Sequence, residues 1–281
     1  METWVSSATG QVVIGPDRPT VLIGERINPA GKKRLAESLA AGKLDVVIQE
    51  AAAQVEAGAD IIDINVGAFG VDEVSLLPQA VQAVAATVDV PVCLDSAKPD
   101  AIEAALKVCR GKPLINSVSG EEHSLSRVLP LVKQHGAAVI GLVQDDEGIP
   151  RDAERRVAAA RKIVERAEAE GIAREDVIID CMAFAIGADI SSGPAVIEAI
   201  SRIRTELGVN VTLGASNISF GMPDRPLLTS AFVAMAITAG ATCLIVDVAR
   251  VRPVVLAADL VLGRDQRARR YTEDYRRRRS G

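Results

Sequence analysis

Hydrophobic and polar positions along this chain fall into one repeating figure. A stretch with helical period ends at a glycine, and a short apolar run follows it and closes on a polar residue. The figure appears in EAGADIIDIN at Gly58, KQHGAAVIGLVQ at Gly136, EAEGIAREDVIID at Gly171, TELGVNVTLG at Gly208 and ITAGATCLIVD at Gly240. CRGKPLIN, at Gly111, is a shorter version. A helix stopped by glycine near its C-cap and followed by a buried parallel strand produces this figure. With VLIGE and VCLD added, eight strands are predicted, at about 21–25, 61–65, 92–95, 114–116, 139–143, 177–180, 211–214 and 243–247. Helical period fills the intervals, as with Val47, Ala51 and Val55 before the second strand. Strict alternation of strand and helix makes an α/β fold with a parallel sheet, and eight units favour closure into a (β/α)8 TIM barrel. An open doubly wound sheet is the rival, but no GxGxxG follows the first strand to support it.

Ahead of the first barrel strand, TWVSSATGQVVIG predicts a short N-terminal hairpin over the barrel's bottom, with Gly10 in the turn. Residues 1–264 then read as a single domain. Residues 265–281 change to DQRARRYTEDYRRRRSG, whose charge density predicts a basic, solvated and flexible tail, or a docking segment for an acidic partner. Aromatic residues are only 2% of the chain, so the core has to be built from Ala, Val, Ile and Leu. A net charge of −5 argues against a nucleic-acid-binding body. Cys93, Cys109, Cys181 and Cys243 form no CxxC pair, and His123 and His135 stand alone. That inventory makes no zinc cage of ordinary spacing, and free thiols suit a reducing cytoplasm. No signal peptide is evident, and no apolar run approaches the ~18 residues of a membrane span.

The chemistry of such a barrel sits at the C-terminal ends of its strands. Those ends carry Glu25 and Asn28, Asp63 and Asn65, Asp95, Asn116, Gln144 and Asp145, Asp180, Asn217 and Asp247. A single Asp after a strand is commonly the N-cap of the next helix, and Asp63 and Asp247 can be read that way. Asn116 and Asn217 precede their helices by too much to be obvious caps. Arg252 and Lys98 are the nearest cations by sequence. A magnesium site made of carboxylates is conceivable, but its ligands cluster more tightly than these. A ring of carboxylates and amides better suits a flat heterocycle rich in N–H donors and ring-nitrogen acceptors, and a pterin has that edge.

GERIN (24–28), DIN (63–65), LDS (94–96), INS (115–117), IID (178–180) and GASNISFGMP (214–223) together resemble the pterin-binding methyltransferases. The resemblance runs in order over roughly residues 20–262, and the loop after the seventh strand is its most specific part. It points to methyltetrahydrofolate:corrinoid methyltransferases, with the folate domain of cobalamin-dependent methionine synthase as a relative. It implies a methyl transfer between 5-methyltetrahydrofolate and a corrinoid, with no metal bound by this chain, and it implies a homodimer. By the same resemblance Asp95, Asn116 and Asp180 hold the pterin edge, with Asp63, Asn65, Glu25 and Asn28 in the surrounding ring. Asn217 lies beside the methyl-bearing nitrogen, as a catalytic residue with Asp180, and Phe220 and Phe184 are the candidates for stacking. Dihydropteroate synthase shares the pterin residues but carries Ser-Arg-Lys where this chain has Ser216-Asn217-Ile218. A synthase-like activity and a non-catalytic folate-binding barrel are the alternatives. Corrinoid modules commonly show Asp-x-His-x-x-Gly, and neither Glu-Glu-His123-Ser nor Lys-Gln-His135-Gly fits it. The corrinoid is therefore expected on a separate protein that docks over the barrel mouth.

Overall fold

The computed structural model describes residues 1–280. Two short strands, β1 (Thr3–Ser6) and β2 (Gln11–Ile14), form the antiparallel hairpin. Barrel strands and helices then alternate. They begin with β3 (Val21–Ile27), α1 (Lys33–Ala40), α2 (Asp45–Ala57), β4 (Ile61–Asn65), α3 (Glu73–Thr87), β5 (Val92–Asp95) and α4 (Pro99–Leu106). Next come β6 (Leu114–Ser119), α5 (Glu122–His135), β7 (Ala138–Leu142), α6 (Ala153–Ala169), β8 (Val177–Asp180) and α7 (Ser192–Leu207). The chain closes with β9 (Asn210–Thr212), α8 (Arg225–Ala239), β10 (Cys243–Val246), α9 (Val248–Val261) and α10 (Arg269–Ser280).

The eight parallel strands run in the order β10-β3-β4-β5-β6-β7-β8-β9. The remaining seam is closed by a bridge between Gly214 and Ile245, with Ile245 N–H donating to Leu213 O at 3.1 Å. Gly58 and Gly136 show why glycine punctuates the units. Both end their helices in the left-handed region, at φ 97° and 60°, where a side chain is strained. Among the described residues no helix is long and apolar enough to cross a membrane.

Two apolar layers build the core. The larger lies between strands and helices, and includes Leu22, Ile62, Leu94, Ile115, Val139, Ile179 and Val211. The smaller fills the barrel, from Val21, Ile23, Ile61, Cys93, Leu114, Ile140, Ile178 and Cys243 down to Val5 and Ile14 of the hairpin. The hairpin is a floor pinned by polar contacts. Asn210 Nδ2 donates to Thr3 Oγ1 at 2.9 Å and to Ile14 O at 3.0 Å, and Thr3 donates to Glu175 O.

The arginine-rich tail differs from the sequence expectation of a solvated, flexible segment. It folds as α10, because acids interleaved with its arginines are buried against the barrel. Asp265 accepts from the backbone of Arg270 and Tyr271 at 3.1 and 2.9 Å, which caps the helix start. Asp274, only 4% exposed, binds Arg252 at 3.0 Å, Arg277 at 3.1 Å and Arg278 at 2.8 Å. Arg277 also donates to Glu56 O and Ala57 O at the negative end of α2. Asp274→Ala is expected to undock α10, at a cost of about 1–3 kcal/mol, because three arginines lose their shared acceptor. Hydrogen exchange should show α10 losing protection while the barrel strands keep theirs. Unchanged protection of α10 in that variant would refute this account of its docking.

Candidate active site

Side chains alternate inward and outward along each barrel strand, and this parity builds the site. Val21 and Ile23 point into the barrel floor, so Glu25 continues the same row on β3. Ile61 leads in the same way to Asp63 and Asn65, Cys93 to Asp95, Leu114 to Asn116, and Ile178 to Asp180. A dry apolar floor thus carries a polar layer immediately above it, at the C-terminal ends of the strands.

One half of that layer is a tetrad on three adjacent strands. Asn65 pairs in register with Asp95, and Asp95 with Asn116. Asn116 Nδ2 donates to Asp63 Oδ1 at 3.2 Å, and Asn65 Oδ1 accepts from Gly67 N–H at 2.8 Å. Asp63 is 2% exposed. It lies inside β4 and caps no helix; Asp72 caps α3 instead. Burial pushes both carboxyls above their ordinary range, Asp63 further because Asp95 repels its charge.

Asp180 stands on β8, beyond the tetrad, with a cation behind it that sequence reasoning missed. Its Oδ1 accepts from Met182 N–H at 2.6 Å, through a turn in which Met182 has φ 52°. Both carbonyls of that turn are held by Arg156 of α6. The guanidinium donates to Cys181 O at 2.7 Å, Met182 O at 3.1 Å and Pro150 O at 3.0 Å, and lies over the Phe184 ring at 5.5 Å. Arg156 is fully buried. Burial raises Asp180 to about 6, opposed by the Met182 N–H and the Arg156 charge. A signal for Arg156 existed in the sequence. Ala153, Val157, Ala160, Val164 and Ala167 form the apolar stripe of α6, and Arg156 falls on it. Phe184 packs under that guanidinium and walls a cavity of about 780 Å³ between the loops after β7 and β8, which Gln144 also lines. Asp145 turns aside to Arg155, at 3.1 Å.

The other predicted residues line a cavity of about 690 Å³ across the mouth, among them Glu25, Asn28, Asn217, Phe220 and Asp247. Ser216 Oγ donates to Glu25 Oε1 at 3.1 Å, which ties the loop after β9 to β3. Burial raises the Glu25 carboxyl, against the pull of that hydroxyl. Asn28 Oδ1 accepts from Ala30 N–H at 3.0 Å and shapes its own turn. Asn217 sits exposed on a 3₁₀ turn spanning Ala215–Ser219. Phe220 is 67% exposed, with the Arg225 guanidinium 5.5 Å from its ring. Asp247 starts α9 without a side-chain capping bond, and faces Arg26 at 3.7 Å and Arg250 at 3.3 Å. The cations of the mouth are therefore Arg26, Lys32, Arg225 and Arg250. Arg252 and Lys98, the sequence candidates, are bound to Asp274 and Glu73, each at 3.0 Å. Among the described residues no group of three or more His, Cys, Asp or Glu is arranged to hold a metal.

A family model described as a pterin binding enzyme matches residues 24–247, a span that takes in the whole polar layer. The chain belongs to the pterin-binding enzyme family. Among its relatives in the family is a methylcorrinoid:tetrahydrofolate methyltransferase of Eubacterium limosum, 30% identical over 91% of this chain and 96% of that protein. A methionine synthase of Mycobacterium tuberculosis is 31% identical over 90% of this chain, which spans 22% of the synthase. In three dimensions this pterin-binding barrel is similar to a dihydropteroate synthase of Yersinia pestis. The TM-score is 0.71 at 20% identity, covering 93% of this chain and 99% of that one. A Xanthomonas albilineans dihydropteroate synthase gives 0.68 at 22% identity, with 93% and 99% covered. At such identities the likeness speaks for the barrel fold.

Asp180 gives the pterin-binding barrel a testable pH signature. Its native pKa of about 6 lies above the ordinary 3.8 that it regains on unfolding. The proton therefore adds stability below about pH 4, and that contribution is lost as the pH rises through about 6. From pH 4 to pH 7 the unfolding free energy should fall by about 2 kcal/mol relative to Asp180→Asn, which does not titrate. Arg156→Met should move the loss to higher pH. Urea denaturation across the pH range checks both, and parallel profiles for parent and Asp180→Asn would contradict the burial argument.

Proposed function

We propose that this protein moves a methyl group between 5-methyltetrahydrofolate and the cobalt of a corrinoid carried by a separate protein. The observation that carries the reading is the loop after β9. It presents Asn217, an amide, on a turn fastened to Glu25 through Ser216, at the lip of the polar layer. The Eubacterium limosum and Mycobacterium tuberculosis relatives support it by what their names say they do. The absence of a lysine from Ser216-Asn217-Ile218 favours it over a dihydropteroate synthase activity.

The chemistry follows from the residues. Asp95 and Asp180 accept from the amino and N–H groups of the pterin edge, and Asn116 donates to and accepts from it. The methyl group sits on a tertiary ring nitrogen, which leaves poorly as an anion. Protonation makes it a neutral leaving amine, and the strongly nucleophilic cobalt(I) of the substrate corrinoid takes the methyl in line. The Asn217 carbonyl accepts from the protonated nitrogen and stabilises positive charge that is absent from the ground state. Asp180, whose pKa lies near 6, exchanges a proton readily near neutrality and is assigned the supply of that proton through water.

Binding and turnover should separate on mutation. Asp95→Ala and Asp180→Ala each lose charge-assisted hydrogen bonds and should weaken folate affinity by about 1.5–3 kcal/mol. Asn217→Ala should bind methyltetrahydrofolate within about an order of magnitude of the parent. Its single-turnover transfer to cobalt(I) corrinoid should fall about 10²–10³-fold. Parental transfer by Asn217→Ala would remove that residue from the mechanism. Condensation of a pterin pyrophosphate with 4-aminobenzoate by the parent would instead establish the synthase reading. Folate binding with no methyl transfer to any cobalt(I) corrinoid would favour a non-catalytic barrel.

A further inference from the structure

Arg156 is a costly residue for the place it occupies. It is fully buried on the apolar stripe of α6, and it forms no ion pair with a carboxylate among the described residues. A guanidinium so placed exchanges its hydration for neutral acceptors alone, and its Nη2 is buried with no hydrogen-bond partner among the described residues. A methionine would fill the stripe at lower cost. What the guanidinium does instead is order one segment. Its three bonds go to Pro150 O on the loop after β7, and to Cys181 O and Met182 O on the loop after β8. The last two carbonyls belong to the turn whose Met182 N–H holds the Asp180 carboxyl. Farther along, Ser192 Oγ donates to Phe184 O at 3.1 Å, and Ile186 N–H donates to Ile218 O at 3.0 Å, beside Asn217. The segment from Cys181 to Ile186 is thus fixed from α6, from α7 and from the loop after β9, and Arg156 anchors its start.

We propose that Arg156 is a positioning residue for folate binding, which touches no substrate and acts by holding the Met182 turn so that Asp180 presents its carboxyl to the pterin. The proposal rests on the pterin reading of the site. Reach and charge are separate parts of the role. The planar fork spans carbonyls on two loops, which the point charge of a lysine ammonium does not reproduce. The positive charge also favours the ionised form of Asp180, the form that accepts from N–H groups on both oxygens. The other titratable groups around this pair are the Cys181 thiol beside Asp180 and the Cys243 thiol of β10, both held protonated by burial. Asp152, at the start of α6, faces Arg156.

A double-mutant cycle of Arg156→Met and Asp180→Asn tests the idea, read by equilibrium titration with 5-methyltetrahydrofolate across the pH range. In the parent, affinity should rise as the pH passes about 6, where Asp180 ionises. Arg156→Met should bind about tenfold more weakly at pH 7 and should move that rise to higher pH. With Asp180 already replaced by Asn, adding Arg156→Met should cost less than about twofold. Arg156→Lys keeps the charge without the fork, so its rise should stay near the parental pH while its affinity falls. This milder variant goes through the same cycle, and its deficit should vanish beside Asp180→Asn, which covers the case in which Arg156→Met does not fold. A deficit that persists in full beside Asp180→Asn would overturn the proposal, because Arg156 would then act on some other group. Parental affinity in Arg156→Lys would overturn it as well, since the reach of the fork would then be irrelevant. Failure of the parent to bind any reduced pterin would overturn the pterin reading itself, and the two failures are thereby told apart.

Discussion

Beneath the polar layer lies a packed floor of Val5, Ile14, Ile23, Ile61, Cys93, Leu114 and Ile178, and water has no place in it. Carboxyls set on such a floor cannot be solvated from below, so each needs partners to its side or above. Asp63 finds Asn116; Asp180 finds one backbone N–H and the field of Arg156. In the proposed reaction the acceptor capacity that these bonds leave free meets the N–H groups of a planar ligand. The selectivity proposed for the site therefore begins with apolar residues that never touch the ligand.

How much of this the sequence discloses depends on which physical rule wrote it. The strands are readable because a parallel barrel strand is buried on both faces, and its apolar run stops where the polar layer begins. Seven of the candidates, Glu25, Asp63, Asn65, Asp95, Asn116, Asp180 and Asp247, lie in the C-terminal parts of those strands or one residue past them, so their height in the barrel follows from counting along each strand. The cations obey another rule. Arg250 and Arg252 are two residues apart on α9, about 200° around the helix, so one faces the mouth and the other is bound to α10. Arg156 sits on α6 in the sequence but acts on β8, and only its place on an apolar stripe betrays it. The tail misleads because its arginines dominate the composition, whereas two acids, Asp265 and Asp274, decide its structure.

The mouth divides into two electrostatic halves. On the β4, β5, β6 and β8 side stand carboxyls and amides that call for N–H donors. On the β3, β9 and β10 side stand cations that call for carboxylates. Ser216 ties β9 to β3 within that second half by its bond to Glu25, and the turn that bears Asn217 follows β9, the neighbour of β8. In the proposed reaction this turn meets the one atom of the folate whose charge changes.

The packed interior of the barrel has a kinetic meaning as well as a structural one. Ile23, Ile61, Cys93, Leu114 and Ile178 fill it from the strands and Val5 and Ile14 of the hairpin extend the packing below, so the site is a cup that opens upward. A small substrate at the bottom of a cup and a large partner over its rim must use the same opening. In the proposed reaction the folate has to be seated before the corrinoid protein settles, and it can leave only after that protein has lifted away. The order of arrival and departure is thus imposed by the packed core beneath the site, with no moving part required.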